Sequence, residues 1–426
     1  MSDPKTLPII PSPGEAAIAD PTLDLKGWRR TFASLHNQNY RYFFIGQSVS
    51  LIGSWTRSSA LSWLAFAWTQ SKLMTGMVSF ANSVPMLLLS IYAGSLADRK
   101  SKITLFKITS WFALLSSALL AVLVFAGFHS ATLLLVFAAL WGIAMAFEMP
   151  ARQSLIVELV GPKILSNAIA LNSAMVNSSR IIGPALGGLL LKYVGAAWCF
   201  ILDSLSYLAV LVGLAKIRIA PNTASRPSPN VTWAHLMEGF TFIRRTPMVA
   251  RTFGLMTSVS LFGWAYQSQM APFVVTQLKQ DAGGYGWLLA ATGLGATVSA
   301  FLIAYHHERL KTQKPAYLGI CLFSLSVLLL GFQKTFLPSA CCLFCAGFGL
   351  VLSFATSNSF LQMHVPNHLR GRMMGLWALS FGGGMPLGSL WMGVLAEHVG
   401  SGPTLQIGGV LCLLSGSWVY FCWKKE

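Results

Sequence analysis

Four charged side chains lie within long apolar stretches of this sequence: Arg57, Glu148, Arg180 and Asp203. In a membrane-spanning segment a charge costs at least about 2.5–3.5 kcal/mol on insertion scales, so it is retained where it pairs or performs a function. Buried carboxylates can carry protons, and buried guanidinium groups can hold carboxylates or anionic solutes. These residues are therefore the candidates for ion coupling or for a buried charge network.

Arg180 and Asp203 are predicted to pair with each other. Arg180 lies in "SSRIIGPALGG" (178–188) and Asp203 in "FILDSLSYLAV" (200–210), on two consecutive apolar stretches. At a helical rise of 1.5 Å per residue, the two positions are roughly 15 and 10 Å from the end that the stretches share. Two antiparallel neighbouring helices could thus form an Arg180–Asp203 ion pair, which would be either purely structural or sensitive to protons.

Arg57 and Glu148 each have two interpretations. Arg57 is near the middle of the first apolar stretch, in "LIGSWTRSSALSW", where it could bind an anionic substrate or pair with a distant carboxylate. Glu148 is a second candidate for a group that titrates during function. Its alternative is an ion pair with Arg152, which lies four residues further along the same helix.

The elements that must position these residues are membrane helices. Of the 426 residues, 54% are hydrophobic and 10% are charged, against about 25% charged in a typical soluble domain. Apolar stretches long enough to cross a hydrocarbon core recur along the chain. The pattern predicts an all-α integral membrane protein with twelve transmembrane helices and excludes an ordinary cytosolic protein. The predicted spans are residues 42–69, 74–97, 103–127, 131–150, 167–191, 196–216, 250–276, 284–306, 315–333, 338–361, 372–396 and 403–423.

The longest break between spans divides them into two sets of six. We expect a cytoplasmic tail with an interfacial helix (1–37), an N-terminal six-helix bundle (38–216), a cytoplasmic linker with an amphipathic helix (217–249) and a C-terminal six-helix bundle (250–426). In "LKGWRRTFASL" and "VTWAHLMEGFTFIRR", apolar residues share one face of a helix and basic residues lie elsewhere. This pattern is typical of a helix on anionic lipid, or of one packed on the inner surface of the protein.

The distribution of basic residues predicts the orientation. Of the 30 Lys and Arg residues, four fall on one side of the predicted spans, two fall within spans, and the other 24 share a side with both termini. The four are Lys72, Lys192, Lys279 and Lys334. Short basic loops stay in the cytoplasm, so both termini are expected there. The net charge of +17 follows from these loops and does not indicate a nucleic-acid partner.

The fifth predicted span carries small residues and a proline: Gly183, Pro184, Gly187 and Gly188. Small residues let helix backbones approach closely, and proline removes a helical hydrogen bond and allows a bend. The segment could be a sliding seam between helices or a static contact. A similar stretch, "GMPLGS" (384–389), lies in the eleventh span, which suggests an internal duplication.

The loop after the second span, "GSLADRKSKITLF", is similar to the signature of the major facilitator superfamily, Gly-x-Leu-Ala-Asp-Arg-x-Gly-Arg-Arg. The matching residues are Gly94, Leu96, Ala97, Asp98 and Arg99, whereas Ser101 and Lys102 depart from it. In the superfamily this aspartate latches the two halves together by meeting the start of span 11. The resemblance therefore implies a latch between Asp98 and a region containing Arg370 and Arg372; the alternative is that Asp98 balances its basic neighbours.

Further stretches resemble the bacterial branch of this superfamily that exports drugs and siderophores, including enterobactin exporters and macrolide efflux proteins. They are "SLIGSW" (50–55), "FEMPARQSLIVELV" (147–160), "NAIALNSAMVNSSRIIGPALGGLL" (167–190), "GFTFIRRTP" (239–247) and "VPNHLRGRMMGL" (365–376). The resemblance implies two pseudo-symmetric bundles that rock around a central site, in the bacterial inner membrane. The "GPALGG" core also resembles the antiporter motif of the superfamily, but the arginine motif of many proton antiporters is missing from the fourth span.

The sequence therefore predicts a secondary active transporter and not an enzyme. It contains no convincing Ser-His-Asp set, paired carboxylates or phosphate-binding loop, and we expect no cofactor and no metal. The expected partners are a small organic molecule, protons and the lipid bilayer, and the protein is expected to be a monomer. Dedicated siderophore export and a transport-inactive sensor or scaffold are the alternatives. Candidate cavity residues are the polar or aromatic residues Trp55, Tyr266, Gln267, Gln269, Asn358 and Trp377.

Overall fold

The computed structural model describes residues 32–218, 233–305 and 312–422, and the regular elements in these ranges are helical. A short 3-10 turn, Ala33–His36, precedes the first long helix. The α-helices are α1 Gln38–Thr69, α2 Lys72–Arg99, α3 Lys102–Phe125, α4 Ala131–Tyr193, α5 Ala196–Lys216, α6 Trp233–Arg245, α7 Pro247–Ser258, α8 Met270–Thr276, α9 Ala282–Tyr305, α10 Lys314–Leu330, α11 Phe336–His364, α12 Asn367–Val399 and α13 Ser401–Cys422.

These helices account for the twelve predicted spans, and the predicted all-α class is confirmed. Eight helices in the described ranges are long and apolar enough by themselves to cross a membrane. The fourth and fifth spans belong to α4, whose two rods (131–160 and 162–193) meet at Gly161. Gly161 has φ 67° and ψ 176°, which a residue without a Cβ adopts at little cost, so the chain can turn there between two helical rods.

The helices group into an N-terminal half, α1–α5, and a C-terminal half, α7–α13. In the N-terminal half α1 packs on α4 and α5, while α2 packs on α4 and α3 on α5. In the C-terminal half α9 and α10 pack on α11, and α10 packs on α13. The halves meet along two helix pairs, α4 with α9 and α2 with α12.

Glycines in α4 and α12 set the helix contacts within each half. A Cβ added to Gly183 would collide with the Trp55 side chain of α1, and one added to Gly187 would lie 3.1 Å from the Thr56 carbonyl oxygen. A Cβ added to Gly384 or Gly388 would lie 2.6 Å from the Ser260 side chain or 2.7 Å from the Leu261 carbonyl oxygen, respectively. The two segments that resemble each other in sequence therefore make equivalent contacts, which supports an internal duplication.

The two ends of the molecule differ, and we name them by position. The linker end is where α1 begins and α2 ends; the far end is where α1 ends and α2 begins. At the far end, one Glu397 oxygen at the end of α12 accepts hydrogen bonds from the Lys72 and Leu73 backbone N–H groups, at 2.7 and 3.0 Å. A carboxylate is favourable at a helix N-terminus, here that of α2. This contact joins the two halves.

A second contact joins the halves at the far end. Lys192 Nζ lies 3.0 Å from Asp281 Oδ2, and the Gly284 backbone N–H donates to the same carboxylate. These donors hold the pKa of Asp281 below its usual range, so the carboxylate keeps its charge to lower pH. The backbones of α4 and α9 also touch between Gly188 and Gly286. The far end is closed.

At the linker end the described parts of α2 and α12 lie apart. No described atom lies within 4 Å of a Cβ built on Gly94, Gly375 or Gly382, on the linker-end halves of α2 and α12. Among the described residues, no other helix approaches Gly94 in this conformation. The same two helices touch at their far ends, where Gly76 meets Gly393, so they diverge toward the linker end.

Several predicted elements lie outside the described part of the chain. These are the interfacial helix of the tail up to residue 31, and the side chains of Asp98, Arg99, Arg370 and Arg372, so the latch stays a prediction. The amphipathic helix of the linker corresponds to α6. Ile243 packs against the C-terminal core, whereas Phe240 is 50% exposed, so α6 is placed partly on the protein.

Candidate functional site

Asp203 pairs with Arg57, which corrects the predicted Arg180–Asp203 pair. Arg57 Nε lies 2.9 Å from Asp203 Oδ2. The helix depths estimated from the sequence are compatible with either partner, but α1 packs on both α4 and α5 and therefore presents Arg57 to Asp203. Arg180 lies instead on the wall of a cavity between the two halves.

The Arg57–Asp203 pair is enclosed within the N-terminal half. The Ser117 hydroxyl of α3 donates a hydrogen bond of 2.5 Å to Asp203 Oδ2. The Arg57 guanidinium carbon lies 4.1 Å from the ring centroid of Trp141, which adds a cation–π contact. No part of the Asp203 side chain is exposed. The pair and its two contacts thus come from four helices, and water has no access to the carboxylate.

Glu148 occupies a more accessible position near the same pair. Its carboxylate lies 3.5 Å from Arg152 Nη1, one helical turn away, so the pair that the sequence left open is formed. The charges of Arg57 and Asp203 also act on Glu148. The side chain of Glu148 is 6% exposed, in contrast to the sealed Asp203. Two acids and two arginines therefore make a network that is neutral when all four are charged.

A central cavity lies between the two halves, with an empty volume of about 630 Å³ that includes space open to solvent. Its walls come from α1, α4, α9, α11 and the segment between α7 and α8. The polar and aromatic lining residues are Trp55, Ser58, Ser59, Ser62, Arg180, Trp264, Gln267, Tyr285 and Thr292.

Arg180 contributes a charge to the wall of this cavity. Its guanidinium carbon lies 5.4 Å from the ring centroid of Trp55 and 5.9 Å from that of Trp264. Trp55 belongs to the N-terminal half and Trp264 to the C-terminal half, so the cation lies at the boundary. Arg180 Nε is buried without a hydrogen-bond partner among the described residues.

The segment between α7 and α8 departs from α-helical geometry beside the cavity. Val259–Gly263 forms a π turn and Trp264–Gln269 a 3-10 helix, in the middle of the predicted span 250–276. Irregular backbone at membrane depth is tolerated where it is buried in protein or lines a cavity. The interruption turns Trp264 and Gln267 toward the cavity, while Tyr266 packs behind it on Phe323, with ring centroids 5.9 Å apart.

Only some of the predicted cavity residues line the cavity. Trp55 and Gln267 line the cavity. Trp377 is 3% exposed and packs within the C-terminal core, and Asn358 bonds to Gln362 on its own helix, so neither lines it. Gln269 is buried and lies within 3.5 Å of the Lys72 carbonyl oxygen at the contact between the halves.

Sequence reasoning missed the hydroxyl face of α1. Ser58, Ser59 and Ser62 line the cavity together with Trp55. They follow Trp55 at intervals of three, four and seven residues, which places all four on one face of a helix. That spacing could have identified the face from sequence alone, and it explains why α1 is less apolar than its neighbours.

Two helical halves with long apolar helices and a cavity between them are typical of a multi-pass membrane transporter. The sequence matches the family model MFS_3, described as "Transmembrane secretion effector", over residues 29–425. The chain therefore belongs to this family of the major facilitator superfamily. It is a transporter and not an enzyme.

The chain is similar to several exporters. It is 26% identical to a staphyloferrin A transporter of Staphylococcus aureus over 90% of this chain and 96% of the relative. It is 25% identical to the multidrug efflux pump Tap of Mycolicibacterium fortuitum over 84% and 89%. It is 28% identical to an enterobactin exporter of Escherichia coli over 60% and 62%. These relatives confirm the resemblance to the drug- and siderophore-exporting branch.

The fold is shared with solved transporters of more distant sequence. A bacterial homologue of the human lysosomal transporter Spinster superposes with a TM-score of 0.69 at 15% identity, over 90% of this chain and 97% of that structure. A peptide transporter of the POT family gives 0.71 at 13% identity, over 91% and 97%. The predicted major facilitator fold is thereby confirmed.

Proposed function

We propose that this protein is a proton-coupled exporter of a small organic molecule, and that it works by alternating access in the bacterial inner membrane. The linker end, which carries most of the basic loops, faces the cytoplasm together with both termini. Residues 38–216 and 250–426 act as the two bundles, with 1–37 as a tail and 217–249 as the linker. The names of the exporters to which the chain is similar support export as the direction.

The observation that carries the proposal is the difference between the two ends in the contacts that join the halves. The far end is sealed by Glu397 on the N-terminus of α2 and by the Lys192–Asp281 pair, whereas α2 and α12 diverge at the linker end. A cavity open on one side only is what one half of an alternating-access cycle requires. In the proposed orientation, this conformation accepts substrate from the cytoplasm.

Glu148 is the group that we assign to proton exchange. A proton carrier must be reached by water, and among the buried acids Glu148 has exposed surface while Asp203 has none. Asp203 is also held by a 2.9 Å ion pair and a hydroxyl donor, whereas the Glu148–Arg152 contact is 3.5 Å. A proton on Glu148 would give the neutral network one positive charge, which changes the interactions within the N-terminal half.

The proposal is tested with inverted membrane vesicles from cells that produce the protein. A panel of siderophores, macrolides and dyes is offered outside the vesicles, with and without an imposed gradient that is acidic inside. We expect uptake of at least one compound, and its loss when a protonophore collapses the gradient. Uptake that ignores the gradient would exclude proton antiport, and no uptake of any compound would favour a sensor or scaffold.

Replacing Glu148 with glutamine is expected to uncouple transport from the proton gradient. One pH unit can drive at most about a tenfold accumulation per proton, since 1.4 kcal/mol corresponds to a factor of ten. We expect E148Q to lose this accumulation and to equilibrate its substrate, because glutamine cannot bind the proton. The measurement is the ratio of internal to external substrate across an imposed gradient.

The matched control for this variant is Glu158→Gln, ten residues further along α4. Glu158 pairs with Lys102 near the surface and is far more exposed than Glu148. E158Q should accumulate substrate as the wild type does. Accumulation by E148Q at the wild-type level would remove Glu148 from the coupling mechanism.

A further inference from the structure

The central cavity holds a cation, Arg180, that has no acidic partner among the described residues. The ion pairs of the described acids are Arg57–Asp203, Lys102–Glu158, Arg152–Glu148 and Lys192–Asp281, and none of them involves Arg180. Arg180 Nε is moreover a buried atom with no acceptor in the described part of the chain. Arg180 as a whole is half-buried. A charge at membrane depth without a counter-charge is costly, and it persists where a ligand or a function compensates for it.

The described surroundings of Arg180 fix its position but place no counter-charge beside it. Two indole rings lie 5.4 and 5.9 Å from its guanidinium carbon, and such cation–π contacts leave the N–H groups at the edge of the guanidinium free for hydrogen bonds. Pro184, which lacks an N–H, leaves the Arg180 carbonyl without its helical donor, and this carbonyl lies against the Gly293 backbone of α9. The backbone at Arg180 is therefore held against the C-terminal half.

We propose that Arg180 is the primary anchor for an anionic substrate, so that this exporter selects organic carboxylates. This inference rests on the proposed transport function and names its substrate class. The planar guanidinium matches a carboxylate with two parallel hydrogen bonds. The apolar part of the ligand lies against Trp55, Trp264 and Tyr285.

The hydroxyl face of α1 completes the site. Ser58, Ser59 and Ser62 line the same cavity, and Thr292 and Gln267 face them from the C-terminal half. Hydroxyl and amide groups can donate to further oxygen atoms of a ligand. The site therefore favours a ligand with several oxygen atoms on a compact body over a purely apolar one. A cationic drug would meet Arg180 with a like charge and is disfavoured.

The site also accounts for how a ligand could act on both halves at once. Arg180 comes from α4, and Trp264 comes from the irregular segment of the C-terminal half. A carboxylate bound at Arg180 contacts residues of both halves in the conformation described, so the ligand stabilises the arrangement in which they approach. Rocking that separates Arg180 from Trp264 weakens this site and promotes release.

The test uses the purified full-length protein and pairs of ligands that differ in the carboxylate charge and the methyl group that masks it. Binding of 2-naphthoate, salicylate and citrate is compared with that of their methyl esters by isothermal titration calorimetry. We expect at least one acid to bind the wild type about tenfold or more tightly than its ester, and R180Q to lose that preference; a charge-assisted hydrogen bond corresponds to about 10- to 100-fold in affinity. R180K, which keeps the charge but not the planar fork, should retain part of it.

Lys334→Gln is the control, since Lys334 is an exposed positive charge between α10 and α11 and outside the cavity. It should bind the acids as the wild type does. Equal affinity for acids and esters in the wild type would overturn the proposal, and so would an unchanged preference in a folded R180Q or R180K. If the vesicles of the preceding test export neutral or cationic compounds while no acid binds, the transport function stands and the substrate class assigned here is wrong.

Discussion

Replacing Gly188 with leucine is expected to abolish transport while leaving a folded protein. A Cβ at this position would lie 2.6 Å from the Ala282 carbonyl oxygen and 2.8 Å from Gly286 Cα, and both are backbone atoms of α9 that cannot rotate away. Overpacking of this kind costs about 1–3 kcal/mol, which lowers the population of the conformation closed at the far end by roughly 5- to 150-fold. The half-cycle in which the cavity opens at the linker end would then be rarely reached.

Gly94→Leu is expected to favour the conformation that Gly188→Leu disfavours. In the conformation described, no described atom lies within 4 Å of its Cβ, so the leucine is accommodated here. In the present conformation α2 and α12 touch at the far end, at Gly76 and Gly393. Alternating access requires the same two helices to approach each other at the linker end in the other conformation. We expect G94L to block that approach, and therefore to stop transport with the cavity open at the linker end.

The two variants are distinguished by the accessibility of the cavity. Ser62 lines the cavity, and Ser62→Cys in a cysteine-free background can be labelled from the far side with a membrane-impermeant maleimide. Labelling should increase in G188L and decrease in G94L relative to the background protein, while both lose transport. Equal labelling in both variants would contradict rocking between two end states, and normal transport by G188L would show that the α4–α9 contact can open elsewhere.

The helices and their number were predictable, because membrane helices follow from the length and apolarity of a segment. The turn between the rods of α4 also had a local signal in Gly161–Pro162, a glycine followed by a helix breaker. The interruption of span 250–276 was not predicted, because apolarity averaged over a span does not report which hydrogen bonds its backbone makes. Gly263 and the polar run that follows it were a weak sign of this interruption.

The partner of Asp203 shows why the site was harder to predict than the fold. Counting residues gives the depth of a side chain, but its direction around the helix axis depends on which neighbour packs on which face. Gly183 and Gly187 follow Arg180 at three and seven residues and share its face, which packs on α1. The spacing was present in the sequence, but the identity of the helix that packs there was not.

The glycines of the fifth span make two kinds of contact. Gly183 and Gly187 form contacts within the N-terminal half, while Gly188 forms a contact between the halves. The backbone angles are helical at Pro184, and the non-helical angles within α4 fall at Gly161. The choice between a sliding seam and a static contact stays a prediction, and it concerns Gly188, because only that contact lies between the halves.

Replacing Asp203 with asparagine is expected to destabilise the protein more than replacing Arg57 with methionine. A buried carboxyl that loses its partner can become neutral by binding a proton, whereas a guanidinium stays charged. Breaking one side of a buried ion pair costs about 3–5 kcal/mol when a charge is left uncompensated, and D203N leaves the Arg57 cation under Trp141 in that state. The measurement is the free energy of unfolding in detergent at neutral pH.

The double variant R57M/D203N should recover most of the stability that D203N loses, because neither charge remains. If the pair is purely structural, as its sealed geometry indicates, this double variant also keeps its proton-driven accumulation, since Glu148 is intact. K192A/D281A, which removes an exposed pair, should change stability little. A double variant that is no more stable than D203N would show that Arg57 finds another partner in the single variant, and Glu148 is the nearest candidate because its charge already interacts with Arg57.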